Sequence, residues 1–224
     1  MTEALLFDFN GVIADDEEQH RESLTTVLAQ EGVPLTREQY YAGFLGMDDR
    51  TGLIEAFRRA GKPLSARRLD RLLTAKSRLY QHLIERSLTL VPGVAEFVPL
   101  AAELFRVALV SGARRHEVEL VLHRARLQPY FDVLVTADDV AKSKPDPAGY
   151  LAAHAALDRH RGLPVARCVV IEDSLSGLRA ARAAGMRCAM LSTSHPAAAL
   201  AGADLVWSSF AGHNPSELLR LADA

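Results

Sequence analysis

The chain has 224 residues, of which 49% are hydrophobic and 24% charged, so it falls among globular proteins and is neither disordered nor fibrous. Its 26 basic and 28 acidic residues leave a formal charge of −2. No global field therefore favours nucleic acid or an anionic membrane, and an anionic ligand has to be held by a few placed groups. Cys168 and Cys188 lie in apolar runs (CVVI, CAML) and read as small buried hydrophobes rather than a disulfide framework. The N-terminal MTEALLFDFNG lacks the basic start and long apolar run of a secretory signal. No stretch reaches the roughly 18–20 apolar residues of a membrane helix, so a cytoplasmic protein with no membrane partner is expected.

In chain order, short β-type runs alternate with longer helical stretches. Strands are expected at 4–9 (ALLFDF), 106–110 (RVALV), 132–136 (DVLVT), 168–172 (CVVIE), 188–191 (CAML) and 204–207 (DLVW). Most are continuous apolar runs, as in a parallel sheet covered on both faces. Helical patterns at about 94–104, 114–126, 147–158 and 175–184 separate them, which predicts an α/β doubly wound core. Residues 16–87 break the alternation. They read as helices at roughly 16–31, 37–44, 50–60 and 66–86, punctuated by Gly32, Pro34, Gly46 and the Gly61–Pro63 turn. The expected architecture is a Rossmann-like, three-layer parallel-sheet core (residues 1–16 and 88–224) with an inserted all-helical cap (17–87).

In open α/β sheets, ligands bind beyond the carboxyl ends of the strands. Four such ends here carry complementary groups: Asp8 with Asn10-Gly11; Ser111-Gly112; Lys142-Ser143-Lys144-Pro145 after the third strand; and Glu172-Asp173-Ser174. Phosphoryl transfer needs a nucleophile, a divalent cation and fixed positive charge around the equatorial oxygens. Asp8 is placed for in-line attack with an aspartyl-phosphate intermediate. Asp8 and Asp173, with Glu172 nearby, supply the oxygen ligands Mg²⁺ prefers. Lys144 neutralises charge, and the Ser111 hydroxyl with the Gly112 and Ala113 amides cradles a phosphate oxygen. Clustered carboxylates would repel a phosphate dianion unless a cation joined them. Two simpler roles compete: Glu172-Asp173-Ser174 also suits a helix N-cap, and Lys142 reads as solvated.

The segments LLFDFNGVIADDEEQH (5–20), ALVSG (108–112), KSKPDP (142–147) and VIEDSLSGLRAARAAG (170–185) together resemble the haloacid dehalogenase superfamily with a helical cap, in its β-phosphoglucomutase and phosphoglycolate phosphatase branch. The resemblance implies Asp8 as nucleophile, Ser111 and Lys144 as phosphate ligands, and Asp8, Asp173 and often Glu172 as metal ligands, joined by the backbone carbonyl of residue 10. The family pattern is Asp-x-Asp-Gly, its second aspartate acting as general acid/base; this chain has Asn10 there. An amide cannot shuttle protons near neutral pH, and a missing acid/base is typically worth about 10²–10⁴ in rate. Asn-Gly is also prone to deamidation, which would place an aspartate at residue 10.

In the insertion, Leu69, Leu73, Lys76, Tyr80 and Leu83 recur at helical spacing, so Lys76 shares an apolar stripe and either snorkels or faces substrate. His20 falls on a helix face with Leu24 and Val27, in a DDEEQH run resembling sugar-phosphate members of the family. Arg50 in LGMDDR is the candidate cap cation. Asp15 and Asp16 read as hinge and helix-start acids, and the arginines at 58, 59, 67, 68 and 71 as solvated faces. The expected activity is Mg²⁺-dependent hydrolysis of a small phosphorylated metabolite by a monomer or weak dimer. A phosphosugar mutase and a phosphometabolite-binding protein with little turnover are the alternatives.

Overall fold

The computed structural model describes residues 1–158 and 162–223, which divide into two compact units, Met1–Asp15 with Thr89–Ala224, and Asp16–Leu88. The first is an α/β unit. Its strands are β1 (Ala4–Phe7), β2 (Arg106–Val110), β3 (Val133–Val135), β4 (Cys168–Glu172), β5 (Arg187–Leu191) and β6 (Leu205–Trp207). They form one sheet in the order β3-β2-β1-β4-β5-β6, every pairing parallel. β1 lies at the centre, in register with β2 (Leu5 opposite Val107) and β4 (Leu5 opposite Val169). The order reverses at β1, so the crevice beyond the ends of β1, β2 and β4 is where this topology presents a ligand.

The continuous apolar runs form buried parallel strands because helices cover both faces. Successive side chains of a strand point to opposite sides. Leu6 joins Ala108, Val110, Val170, Cys188 and Met190 in a core that includes Tyr150, Ala153 and Leu157 of α7 (Ala148–Asp158) and Leu178 and Ala181 of α8 (Leu175–Ala183). Phe7, on the other side, meets Phe97 edge-on with ring centroids 6.3 Å apart, and Phe97 sits 4.5 Å from Phe210. Phe97 belongs to α5 (Val94–Leu104), which with α6 (Arg115–Ala125) completes the helices of this unit. Both cysteines are free and buried, as their apolar runs suggested. No described helix is long and apolar enough to cross a membrane.

The second unit is helical: α1 (Glu17–Gln30), α2 (Arg37–Gly43), α3 (Asp49–Arg59) and α4 (Ala66–Arg86). Polar caps set three of the starts. Thr36 forms a reciprocal capping box with Gln39, Asp48 accepts from Thr51 N at 3.0 Å, and Ser65 accepts from Arg68 N at 3.3 Å. Leu24, Val27, Leu28, Tyr40, Phe44, Leu53, Phe57, Leu69, Leu72 and Leu73 fill its own core. Where the chain leaves and re-enters the α/β unit, Asp15 N donates to Thr89 O at 3.0 Å and Val91 N to Ile13 O at 3.1 Å.

The boundaries differ slightly from the sequence expectation. β1 stops at Phe7 rather than residue 9, because after Asp8 the chain turns sharply: Ile13 N and Ala14 N both bond back to Phe9 O. Short 3₁₀ turns at Gln128–Tyr130, Val165–Arg167, Ala197–Leu200, Pro215–Leu218 and Leu221–Asp223 carry no hydrophobic period and were not anticipated.

Candidate active site

Asp8 follows the last residue of β1. Its amide still bonds Ile171 O of β4 at 2.8 Å, which fixes its carboxylate at the carboxyl end of the central strand pair. Lys144 comes from the loop ahead of α7 and bridges two acids. Its Nζ stands 2.6 Å from Asp8 Oδ1 and 2.6 Å from Glu172 Oε1, and it donates to Val110 O at 3.3 Å.

Glu172 ends β4 with no exposed surface, and both its oxygens are engaged. Oε1 takes Lys144 and the Tyr150 hydroxyl (2.8 Å); Oε2 takes the Asp173 amide and the Ser174 amide and hydroxyl, each at 3.0 Å. The arrangement requires glycine at 177, in the first turn of α8, because a Cβ there would lie 1.7 Å from Glu172 Oε1. Ser174 also caps α8 by accepting from Gly177 N at 3.0 Å. The helix-cap role open to this motif thus falls to Ser174 alone, and Glu172 and Asp173 remain with the site.

Asp173 is nearly buried and accepts the Ser194 hydroxyl on Oδ2, with Thr193 Oγ1 3.4 Å from the same atom. Gly11 has φ +72°, and a Cβ there would stand 1.9 Å from Asp173 Oδ2, so both the left-handed turn and the space demand glycine. One oxygen from each of Asp8, Glu172 and Asp173 lies within 4.8 Å of the others.

The electrostatics follow from this crowding. Burial and then the nearby Glu172 charge raise the Asp8 carboxyl to about 7, against the opposing pull of Lys144. Asp173 is raised well above the carboxylate range by burial and then by Glu172 and Asp8. Burial also pushes Glu172 upward, but the Lys144 charge and its hydrogen bonds win and hold it below its ordinary value. Lys144 is raised, because its two carboxylates outweigh its own desolvation. Three acids thus share one lysine, and two of them resist ionising together. Clustered hard oxygen donors with excess negative charge fit a divalent cation such as Mg²⁺. Asp8 and Asp173 fit best as direct ligands, since Glu172 already serves five donors.

Ser111 is buried at the end of β2, with Gly112 exposed beyond it. Ala113 N donates to Ser111 Oγ at 2.9 Å, so the expected cradle is a turn closed on its own hydroxyl, and the Ala113 amide is already engaged. Ser111, Gly112, Lys144, Asp146 and Tyr150 line one small cleft. Asn10 is half-buried and bridges to Ala14. The Gly11 amide, the atom that would close a succinimide on Asn10, donates to Ala14 O at 2.7 Å. That bond opposes deamidation in the folded chain. Lys142 is 74% exposed, near Asp146 at 3.4 Å.

The helical unit holds its own polar cluster. Lys76 is fully buried, so it does not snorkel. Its Nζ lies 2.6 Å from His20 Nδ1 and 2.7 Å from Asp49 Oδ1, and 5.0 Å from the Tyr80 ring centroid. His20 packs on Tyr80 with centroids 4.3 Å apart, and its Nε2 is 3.5 Å from Asp16 Oδ2. Asp16, expected as a helix-start acid, makes no side-chain cap bond; it is buried and accepts the Tyr80 hydroxyl. Arg50 stays apart from this pair. It is 57% exposed and faces Asp70 at 3.4 Å, because its place in the first turn of α3 puts Asp49 rather than Arg50 against Lys76. Of the arginines read as solvated, Arg68 is the exception: it is half-buried, pairs with Glu31 and covers the Phe57 ring.

Tyr150, Thr193, Ser194 and Asp49 were not singled out from the sequence. The only signal for Tyr150 was an aromatic three residues past KPDP, and the hydroxyls of STSHP gave none.

A family model described as haloacid dehalogenase-like hydrolase matches residues 5–191. The chain is 33% identical over 221 residues to protein CbbY of Cereibacter sphaeroides, covering 94% of each. It is 32% identical over 188 residues to a phosphorylated carbohydrates phosphatase of Thermotoga maritima, covering 82% of each. The crystal structure of CbbY from Rhodobacter sphaeroides, an Asp-to-Asn mutant in complex with xylulose 1,5-bisphosphate, superimposes with a TM-score of 0.83 at 32% identity, covering 95% of this chain and 96% of that one.

Proposed function

The chain belongs to the haloacid dehalogenase-like hydrolase family, and from that premise we propose that it is a phosphoric monoester hydrolase acting on a small phosphorylated sugar or sugar-like metabolite. The observation that carries this is the Lys144 ammonium held 2.6 Å from both Asp8 and Glu172, with Asp173 completing the acidic trio. A lysine so pinned has lost the freedom of a surface side chain and stands ready to pair with a transferred phosphoryl group.

Asp8 attacks phosphorus: an Asp8 O–P bond forms, the P–O bond to the sugar breaks, and the ester oxygen leaves as an alcohol after taking a proton. Water then attacks the same phosphorus, releasing inorganic phosphate and restoring the carboxylate. Lys144, Ser111 and the Gly112 amide hold the phosphoryl oxygens. Asp8 and Asp173, with the backbone carbonyl of Asn10, would hold Mg²⁺, which when bound supplies charge neutralisation among the acids and the phosphate. Glu172 fixes Lys144 and the start of α8.

Asn10 cannot give or take the proton, so the ester oxygen is protonated from water and turnover is slow. The named activity of the Thermotoga maritima relative supports the carbohydrate class, and the complex of the CbbY mutant with xylulose 1,5-bisphosphate supports a phosphorylated sugar as the ligand. His20 and Lys76 pair with one another and with Asp16 and Asp49, and Arg50 is solvated and paired with Asp70, so none of the three is given a part in this reading. The protein is proposed to act in the cytoplasm as a monomer or weak dimer.

The test is a phosphate-release screen over sugar phosphates with Mg²⁺, run on the chain and its Asn10→Asp form. The expected result is slow release by the parent, a gain of about 10²–10⁴ in kcat for Asn10→Asp, and none for Asp8→Asn. Absence of release from all forms would overturn hydrolysis, and isomerised sugar phosphate without free phosphate would replace it with a mutase.

A further inference from the structure

The loop after β5, Ser192–Pro196, carries two hydroxyls that converge on the acidic trio from a direction none of the four motifs occupies. Ser194 Oγ donates to Asp173 Oδ2, with Thr193 Oγ1 3.4 Å from that atom. Thr193 Oγ1 also donates to Gly11 O at 2.7 Å, which ties the turn after Asn10 to the same loop. Gly11 closes the third side, its missing Cβ leaving the space Oδ2 fills. Thr193 has one proton and gives it to Gly11 O, so Ser194 is the donor that fixes Asp173, and it does so through Oδ2. An aspartate at the start of a helix has two free torsions; a hydroxyl on one oxygen and backbone against it remove both.

Resting on the cation assignment proposed above, we infer that Ser194 and Thr193 are positioning residues for the divalent cation. Ser194 locks the Asp173 carboxylate so that Oδ1 is the coordinating oxygen. Thr193 holds the Gly11 carbonyl, and with it the Asn10-Gly11 turn, in register with Asp173. Neither hydroxyl touches the phosphoryl group or the ion. Their contribution is to spare the ion the cost of ordering its ligands, as partners behind a metal ligand do.

The experiment measures Mn²⁺ affinity of the full chain, without substrate, by electron paramagnetic resonance, with Mg²⁺ competition to confirm a shared site. Ser194→Ala is expected to weaken Mn²⁺ binding by about 10-fold or more, within the range for lost support of a metal ligand. Ser194→Thr, which keeps the hydroxyl, should restore affinity to near the parent value. Thr193→Val, equal in shape but without the donor, should weaken binding less than Ser194→Ala. Asp173→Asn serves as the control for the site itself. Loss of binding in Asp173→Asn with parent-like binding in Ser194→Ala and Thr193→Val overturns the inference while leaving the cation assignment standing. Equal binding in the parent and Asp173→Asn overturns the cation assignment, and the inference with it. If Ser194→Ala does not fold, Thr193→Val and Ser194→Thr decide alone: the inference then requires weakening in the first and none in the second.

Discussion

Each unit of the molecule buries a lysine among acids, and the two do it differently. Lys144 in the α/β unit bridges Asp8 and Glu172, whose ligand oxygens converge with that of Asp173 within 4.8 Å. Lys76 in the helical unit touches one carboxylate, Asp49, and an imidazole; the other acids there are served by phenols, Asp16 by Tyr80 and Glu17 by Tyr40. Among the described residues, only the first set brings three acids within reach of one ion. In the helical unit the acids are dispersed, and each of the three has a donor of its own. Converging acids with a single lysine leave negative charge uncompensated, and the Asp8 and Asp173 carboxyls are raised first by burial and then by that neighbouring charge. The same residue types thus yield a site with an unmet charge in one unit and a satisfied polar core in the other.

Removing each lysine separates the two cases. Lys144→Met leaves two acids unpaired beside a third in a buried place and should cost about 3–5 kcal/mol. That corresponds to a thermal midpoint lower by roughly 6–20 °C for a protein of this size. Mg²⁺ should recover part of the loss, because a cation can stand in for the missing charge. Lys76→Met should cost less, about 1–3 kcal/mol, since the Asp49 side chain is 28% exposed and can be rehydrated. Mg²⁺ should recover none of it. Calorimetry of both variants with and without Mg²⁺ reads the difference, and equal rescue would erase the distinction drawn between the clusters.

A smaller effect is expected from Tyr150→Phe, which removes one donor from Glu172 Oε1 while Lys144 keeps its place. The expected loss is about 1 kcal/mol by denaturant unfolding, with the phosphate-release rate reduced more than the substrate affinity, because Lys144 rather than the sugar pocket is loosened. The smallest concerns a carboxylate whose charge is already met. Asp204 lies 2.8 Å from both Arg182 and Arg187 and accepts from Cys188 N at 2.7 Å. Burial raises its pKa, but these partners prevail and lower it. A lowered carboxylate stabilises the fold above its unfolded pKa, and that contribution disappears as pH falls through the folded value. Asp204→Asn should therefore reduce stability at neutral pH and flatten the acid limb below about pH 4.

The sheet and helices were legible in the sequence because their signals are periodic. α4 and α5 begin and end where the pattern placed them, at 66–86 and 94–104, and every expected strand is present within two residues at either end. Three of the four motifs were legible because they sit at strand ends, where topology alone brings them together; the fourth, with Lys144, lies in the loop ahead of α7. What escaped was the supporting polar network. Tyr150 and Glu172 are 22 residues apart and Asp173 and Ser194 are 21 apart, and no local pattern marks a hydroxyl that bonds across a sheet. The helical unit shows the same limit. Lys76 was visible as a misfit on an apolar stripe, but its partner Asp49 was hidden beside Arg50, since one residue of helix phase decides which of the two turns inward.

The backbone bond between Asp15 and Thr89 places the two ends of a 73-residue excursion side by side. Such a junction would let the whole inserted segment be exchanged without rethreading a strand, since donor and recipient need agree only on the short antiparallel pairing of 13–15 with 89–91. A foreign helical segment grafted at this junction would leave the acidic trio where β1 and β4 place it.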